Sequence, residues 1–245
     1  MKSIILKSHE IIHLRDTGSV IAWRVVKPQP GTRHDGTPIH FGDEGTFLTC
    51  PYGRTGEERW VKETFVDGYP SDCGELQMFD EDGNELPKHV WYRSDDKLVS
   101  NLGAPMEEWL DDMGAPLENI PWRSSTHMPR WASRFTVTLD VGLKRIQEVT
   151  EEDAIASGIE PLFTEEKIKE RPELAECRGQ WSNYLWHGHH GKYGMGNAKS
   201  DRWEHQFSSY SSAVGSYSSL HESIHGQGSW DRNDYFWKIT CTLTK

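Results

Sequence analysis

The stretch FTVTLDVGLKRIQEVTEEDAIASG, residues 135–158, carries the clearest structural signals in the sequence. Residues 135–141 alternate apolar and polar side chains, which predicts a half-buried strand, and a second strand is expected over 143–149 after a break at Gly142. Thr150 precedes three acidic residues, so a capped helix is expected to begin there and to stop at Gly158. A strand followed by a capped helix indicates a mixed α+β fold.

Outside this stretch the pattern predicts further short elements. Strands are expected over residues 20–26, 46–50, 59–65, 89–93 and 235–244. Helices are expected over residues 8–14, capped by Ser8, and over about 211–225, where Ala213, Tyr217, Leu220 and Ile224 keep helical spacing. Many short strands with few helices predict a small mixed β-barrel with helices at its rim.

Length and composition favour one folded domain. The chain has 245 residues, and its 11 Trp, 8 Tyr and 8 Phe are too many aromatic side chains for a disordered protein. Two long polar stretches, at about 66–120 and 160–207, are interpreted as insertions into a single domain spanning 1–245. The first of them is expected to be surface elaboration around the strand at 89–93.

Targeting and redox signals are absent from the sequence. It has no run of about 18 apolar residues, and its opening residues carry charges on both sides of a short apolar run. Its four cysteines form no C-x-x-C pair, which favours reduced thiols. These features predict a cytoplasmic, non-exported protein, in a bacterium or an infected host cell, with no membrane partner.

A cationic segment, IPWRSSTHMPRWASRF at residues 120–135, stands out because the whole chain has a formal net charge of −11. It contains no acidic residue, and its basic and aromatic side chains are Trp122, Arg123, His127, Arg130, Trp131 and Arg134. Guanidinium groups pair with phosphate, and indole rings stack on bases. The segment therefore indicates a local nucleic-acid contact, while a core position for both tryptophans with solvated arginines is an equally open interpretation.

The strand predicted at 59–65 supplies a second group of candidate residues. A period of two places Trp60 and Lys62 on one face and Val61 and Glu63 on the other. Lys62 or Glu63 pointing into a barrel mouth would suit hydrogen bonding to a nucleobase. A surface ion pair is the alternative interpretation.

Two further patterns in the sequence do not predict a site. Three histidines between 187 and 190 suit a transition metal, but they lack a paired carboxylate or cysteine motif, so no metal site and no cofactor are predicted. Ser212, His225 and Asp231 contain the residue types of a nucleophilic triad, but no G-x-S-x-G elbow supports one.

Several segments together resemble the ASCH domains of the PUA-like superfamily, particularly the long versions encoded by phages and prophages. The similar stretches are RVVKPQP (24–30), CPYG (50–53), RWVKET (59–64), YRSD (92–95), WR (122–123), HMPRWASR (127–134), IQEVTEEDA (146–154) and GSWD (228–231). They occur in the order of the family and span about Arg24 to the C-terminus. The resemblance implies a PUA-like β-barrel, a fold associated with binding RNA or modified nucleosides.

Some small members of this family are associated with amidohydrolase activity on N4-acetylcytidine. That activity is attributed to a lysine, a threonine and a glutamate, and the aligned positions here hold Ser19, Ala22 and Ser157. An alanine and isolated serines without a base are poor substitutes for a lysine or an activated hydroxyl. The resemblance therefore implies a binder that lacks the known catalytic residues.

The leading hypothesis is a protein that binds RNA, single-stranded nucleic acid or a modified nucleoside. The residues expected to contact the ligand are Trp23, Arg24, Lys62, Glu63, Arg123, Arg130 and Arg134. A diverged amidohydrolase acting on N4-acylated cytidine, or a nuclease, is one alternative. Another is an acidic phage protein that binds a host protein, which the net charge of −11 makes physically reasonable.

Overall fold

The structure is a computed structural model that describes residues 1–27, 29–30, 49–69, 71–72, 75–76, 84–95, 98–106, 120–182 and 209–244. The chain divides into two compact units. Unit 1 comprises residues 1–20, 52–140 and 240–245, and unit 2 comprises residues 21–51 and 141–239. The single domain expected from the sequence stays a prediction.

The described strands are β1 (Lys2–Ile5), β2 (Ser19–Val25), β3 (Glu58–Lys62), β4 (Phe65–Gly68), β5 (Ser71–Asp72), β6 (Glu75–Leu76), β7 (His89–Tyr92), β8 (Thr136–Arg145), β9 (Trp181–Ser182), β10 (Ser209–Tyr210) and β11 (Tyr235–Leu243). The described α-helices are α1 (Ser8–Thr17), α2 (Glu151–Ala156), α3 (Glu165–Glu170) and α4 (Ala213–His225). Four of the described segments are short 3-10 turns, Ser125–His127, Arg130–Ala132, Ile146–Glu148 and Pro172–Cys177. The predicted mixed α/β class is confirmed.

Five strands form one sheet in the order β1-β3-β8-β11-β2. Strand β1 runs parallel to β3, and β3 runs antiparallel to β8 with Trp60 opposite Thr136. Three described two-stranded sheets accompany it, pairing β4 with β7, β5 with β6 and β9 with β10. A barrel closes only when its edge strands pair, and within the described residues β1 and β2 remain the two edges. The expected barrel is therefore not closed.

The strand predicted over 59–65 is divided in the structure. Strand β3 ends at Lys62 and β4 begins at Phe65. Between them the Glu63 amide donates to Met128 Sδ at 3.2 Å, and the Glu63 side chain is buried. The prediction of one continuous strand was wrong because Glu63 leaves the sheet to join interior partners.

Strand β8 is longer than predicted. It continues through Gly142 to Arg145, and residues 146–148 form a 3-10 turn instead of a second strand. Gly142 keeps the backbone of a strand residue, so it does not interrupt the strand. The predicted helix start is confirmed, because the Thr150 hydroxyl accepts a hydrogen bond from the Asp153 amide at 3.1 Å.

Helices α1 and α4 both occur where the sequence predicts them. Helix α1 extends beyond the predicted end to Thr17, and its N-cap is Lys7 rather than Ser8. Gly18 ends α1 with φ of +81°, a left-handed conformation that glycine adopts without strain. Helix α4 is capped by Ser212, whose hydroxyl accepts from the Gly215 amide at 3.0 Å.

Two buried clusters of described residues lie in unit 1. One consists of Phe65, Val90, Tyr92, Met128 and Ala132, and the other of Val66, Trp91 and Met106. Residues 66–120 therefore contribute fully buried side chains, so this stretch is more than the surface elaboration expected from its polar composition.

Unit 2 has a core of its own. Its buried members are Ile21, Trp23, Ile146, Val149, Ala154, Ile159, Ala213, Tyr217 and Phe236. Partly buried side chains pack against this core, including Trp230 of the GSWD motif. The core joins β2 and β11 to α2 and α4, and the helically spaced Ala213, Tyr217 and Leu220 supply the face of α4 that packs in it.

Some predictions concern residues outside the described ranges. The His-rich stretch at 187–190, residues 46–48 of a predicted strand, and Cys73 are outside the described ranges. The three described cysteines, Cys50, Cys177 and Cys241, form no disulfide with one another. In the described part of the chain, no helix has the length and apolar character needed to cross a membrane.

Candidate nucleic-acid interface

The cationic segment is attached to unit 1 by two buried side chains. Met128 is 1% exposed and Ala132 is 2% exposed, and both pack against Phe65, Val90 and Tyr92. The side chains of residues 128 and 132 thus face inward, while Arg130 and Trp131 between them are exposed.

Hydrogen bonds to three strands reinforce this attachment. Arg123 and Phe65 exchange backbone hydrogen bonds of 2.8 and 3.3 Å, which joins the segment to β4. The Ser133 hydroxyl donates to the Val61 carbonyl at 2.8 Å, and the Tyr92 hydroxyl donates to the Ala132 carbonyl at 2.8 Å. These contacts involve β3, β4 and β7, so the segment is held at several points along its length.

Two short 3-10 turns give the segment its outward face. The first, Ser125–His127, is capped by Ser124, and the second, Arg130–Ala132, follows Pro129. His127 and Arg130 are exposed, and Trp131 is 58% exposed. Because Ala132 points inward, its two predecessors in the turn are directed to solvent.

Lys62 lies beside this outward face. Its ammonium group donates to the Thr126 carbonyl at 2.8 Å and sits 5.1 Å from the centre of the Trp60 ring. The predicted sharing of one strand face by Trp60 and Lys62 is confirmed by this contact. An ammonium has three donors, so Lys62 can hold the Thr126 carbonyl and still bind an anion.

The positive charge of Arg123 is partly compensated by a neighbouring carboxylate. Its Nη1 lies 2.7 Å from Asp67 Oδ1, and the Asp67 side chain is only 7% exposed. Lys88 approaches the other carboxylate oxygen at 3.9 Å. The guanidinium is itself exposed, but part of its positive charge balances a buried carboxylate.

Arg134 is turned inward and fully engaged. Its guanidinium donates to both oxygens of Glu63 at 2.9 Å and to both oxygens of Asp95 at 2.8 Å. It also donates to the Ser94 hydroxyl at 2.9 Å and stacks 4.0 Å from the Tyr92 ring centre. Glu63 is 1% exposed, so its charge depends on Arg134 for compensation.

The structure therefore brings two predicted ligand residues together, Glu63 and Arg134, as partners of each other. Burial by itself lowers the pKa of Arg134, but hydrogen bonds and charges from Glu63 and Asp95 outweigh it and raise the pKa above its usual value. The guanidinium stays charged, and each of its three nitrogens already donates to an acceptor. Glu63 and Arg134 therefore have a structural role in the interior of unit 1.

The buried hydroxyl of Tyr92 should make the stability of the protein fall at alkaline pH. Burial raises the pKa of its hydroxyl to about 12, against a smaller lowering by Arg134. Between pH 10 and 12 the unfolded state releases this proton while the folded state keeps it, so stability falls as pH rises through that window. We expect a steeper alkaline loss of urea stability in the wild type than in Tyr92→Phe. An equal loss of stability with pH in the two proteins would contradict the raised pKa of Tyr92.

The remaining two predicted ligand residues belong to unit 2. Trp23 is 6% exposed, its ring packs near Tyr217, and its indole N–H donates to the Ser157 hydroxyl at 3.1 Å. Arg24 donates to the Trp23 carbonyl at 3.1 Å. Trp23 is therefore a core residue of unit 2 whose polar atom is satisfied internally.

Two of the three positions aligned with the amidohydrolase residues carry structural roles. Ala22 is fully buried, and the Ser157 hydroxyl donates to the Asp153 carbonyl at 2.7 Å while accepting from Trp23. Near them Lys238 of β11 forms an ion pair of 2.6 Å with Asp153. Sequence reasoning did not select Lys238, because its distance from Asp153 along the chain is 85 residues.

The hypothetical triad is excluded by distance. Ser212 caps the N-terminus of α4 and His225 is its last residue. A helix of 13 residues separates them by about 20 Å. No group of three or more His, Cys, Asp or Glu side chains that could hold a metal ion occurs within the described ranges.

The fold and site together define a mixed α/β protein with an anchored, solvent-facing cationic and aromatic segment. Comparison with protein-family models, with curated proteins and with solved structures found no significant match.

Proposed function

We propose that the protein is a PUA-like binder of single-stranded nucleic acid or of a nucleoside, and that its ligand contacts the cationic segment. The observation that carries this proposal is Trp131. Its indole is 58% exposed on a segment that buried Met128 and Ala132 hold in place. Base stacking on such an aromatic ring contributes roughly 1–3 kcal/mol per base.

The chemistry around Trp131 supports this choice. Arg130 and His127 are exposed, and neither forms an ion pair with a described residue. Lys62 adds a second full positive charge near Thr126. A guanidinium next to an open indole in the chain, with an ammonium held at Thr126 of the same segment, matches a phosphate beside a base.

The sequence-level alternative of a diverged amidohydrolase receives less support from the described residues. Ala22 offers no functional group, and both hydrogen-bonding roles of the Ser157 hydroxyl are occupied. A hydroxyl nucleophile needs a nearby base to remove its proton, whereas the Ser157 proton is donated to a main-chain carbonyl. Binding therefore explains the available side chains better than catalysis does.

Replacing Trp131 by alanine should weaken binding of a fluorescein-labelled single-stranded RNA by roughly 5- to 150-fold, the equivalent of one lost base stack. Arg130→Ala should weaken it as well and reduce its salt dependence. The measurement is fluorescence anisotropy across a series of salt concentrations. Because both side chains are exposed, urea stability should change by less than about 0.5 kcal/mol.

Matched controls are available in unit 2. Ile224→Ala removes another exposed apolar side chain, and Arg232→Ala removes another exposed arginine. Both controls should bind like the wild type. Unchanged affinity in Trp131→Ala would remove the segment from the site, and equal losses in Arg130→Ala and Arg232→Ala would indicate general electrostatic attraction instead.

A further inference from the structure

We infer that the ligand of the cationic segment is a single unpaired nucleotide unit, one base with one or two phosphates, either free or presented by a single strand. This inference rests on the proposed function and specifies its ligand. Three properties support it. They are the small number of positive charges still available to a ligand, the single open ring on which a base can stack, and the net negative charge of the whole protein.

The number of available charges is small. Of the three arginines in the segment, Arg134 has its donors occupied by Glu63, Ser94 and Asp95, and Arg123 is paired with Asp67. Arg130 and Lys62 remain as full positive charges directed to the outward face. Two cations can neutralise about two phosphates, which is too few for a long backbone contact.

The number of stacking positions is also small. Trp131 is the described tryptophan of the segment with an open ring, since Trp122 packs partly against the cluster of Val66, Trp91 and Met106. The Trp60 ring is approached by the Lys62 ammonium. Grooves that hold about 4–16 nucleotides use successive aromatic platforms, whereas one open indole accommodates one base.

The state of that base follows from the geometry of stacking. Both faces of a base inside a duplex are covered by its neighbours, so an indole reaches only a base that is unpaired or at an end. Duplex DNA also presents one negative charge per ~1.7 Å, and the protein has a net charge of −11. Extra phosphates beyond the site should therefore add little or no affinity.

The test uses the whole protein and four probes: adenosine monophosphate, a labelled trinucleotide, a labelled 15-nucleotide RNA, and the same RNA annealed to its complement. We expect the two single strands to bind within about threefold of each other after correction for the number of sites. The slope of log affinity against log salt should be about −1.4, for two phosphates on a single strand. Adenosine monophosphate should compete, and the duplex should bind at least about tenfold more weakly.

Each other outcome has a distinct meaning. If affinity rises more than tenfold from the trinucleotide to the 15-nucleotide RNA with a slope steeper than about −3, or if the duplex binds equally well, the single-unit ligand is wrong while nucleic-acid binding stands. If the wild type binds none of the probes more tightly than Trp131→Ala does, the proposed function fails together with this inference.

Discussion

Replacing Arg134 by alanine is expected to lower the free energy of unfolding by about 3–5 kcal/mol. Glu63 is 1% exposed, and Arg134 donates to both of its carboxylate oxygens. Without the guanidinium, the Glu63 charge has to stay in the interior without its partner, protonate, or draw water inward. The measurement is urea unfolding followed by circular dichroism at neutral pH.

A matched variant in the same segment shows whether the stability loss comes from breaking the buried ion pair or from removing one positive charge. Arg130→Ala removes an equal charge four residues earlier, from an exposed position, and should change stability by less than about 0.5 kcal/mol. The double variant Glu63→Gln/Arg134→Met, which removes both charges and keeps the volume, should recover much of the loss. Coincident unfolding curves for Arg134→Ala and Arg130→Ala would show that the interior pair contributes nothing.

Replacing Trp91 by alanine is expected to cost about 3–5 kcal/mol of stability, because it opens a large cavity in unit 1. Trp91 is 1% exposed, packs with Val66 and Met106, and donates its indole N–H to the Ala104 carbonyl at 3.0 Å. Deleting the ring removes this packing and one of two hydrogen bonds to that carbonyl, which still accepts from the Ser100 amide at 2.8 Å. The urea midpoint of Trp91→Ala is the measurement.

Trp131→Ala is the control for this prediction, because it removes the same side chain from a surface position. We expect its stability to stay within about 0.5 kcal/mol of the wild type. A loss of stability in Trp91→Ala together with a loss of binding in Trp131→Ala would show that Trp91 belongs to the core and Trp131 to the interface. A stability loss of several kcal/mol in Trp131→Ala would mean that its ring is structural.

The elements that the sequence predicted well are those with local signals. The alternation over 135–141, the Thr150 cap and the helical spacing from Ala213 onward all appear in β8, α2 and α4. In each, the deciding hydrogen bonds or side-chain contacts lie within a few residues of each other or along one regular face. Such signals survive in the sequence because they need no distant partner.

The errors arose where a distant partner overrides the local pattern. Residues 59–65 read as one strand, but Glu63 turns inward toward Arg134, whose position is 71 residues further along the chain. The N-cap of α1 was assigned to Ser8 instead of Lys7, because a lysine is an unusual N-cap. The expected barrel depended on edge pairing, which periodicity does not encode.

The candidate site shows the same division. The sequence identified the cationic segment and the face shared by Trp60 and Lys62, but it assigned equal availability to Arg123, Arg130 and Arg134. Asp67, Glu63 and Asp95, which pair with two of these arginines, lie 39–71 residues away from them in the sequence. Trp131 was noted as aromatic, yet its exposure depends on Ala132 being buried against Tyr92 and its neighbours.

The sequence by itself determined the local elements, the aromatic content and the concentration of positive charge at residues 120–135 in an acidic chain. Only the tertiary structure decided which of those side chains serve the interior and which face solvent. Met128 and Ala132 turn inward because burial of apolar surface is favourable, and Arg134 follows to compensate the buried Glu63. Arg130 and Trp131 are left outside, since no described interior group requires them.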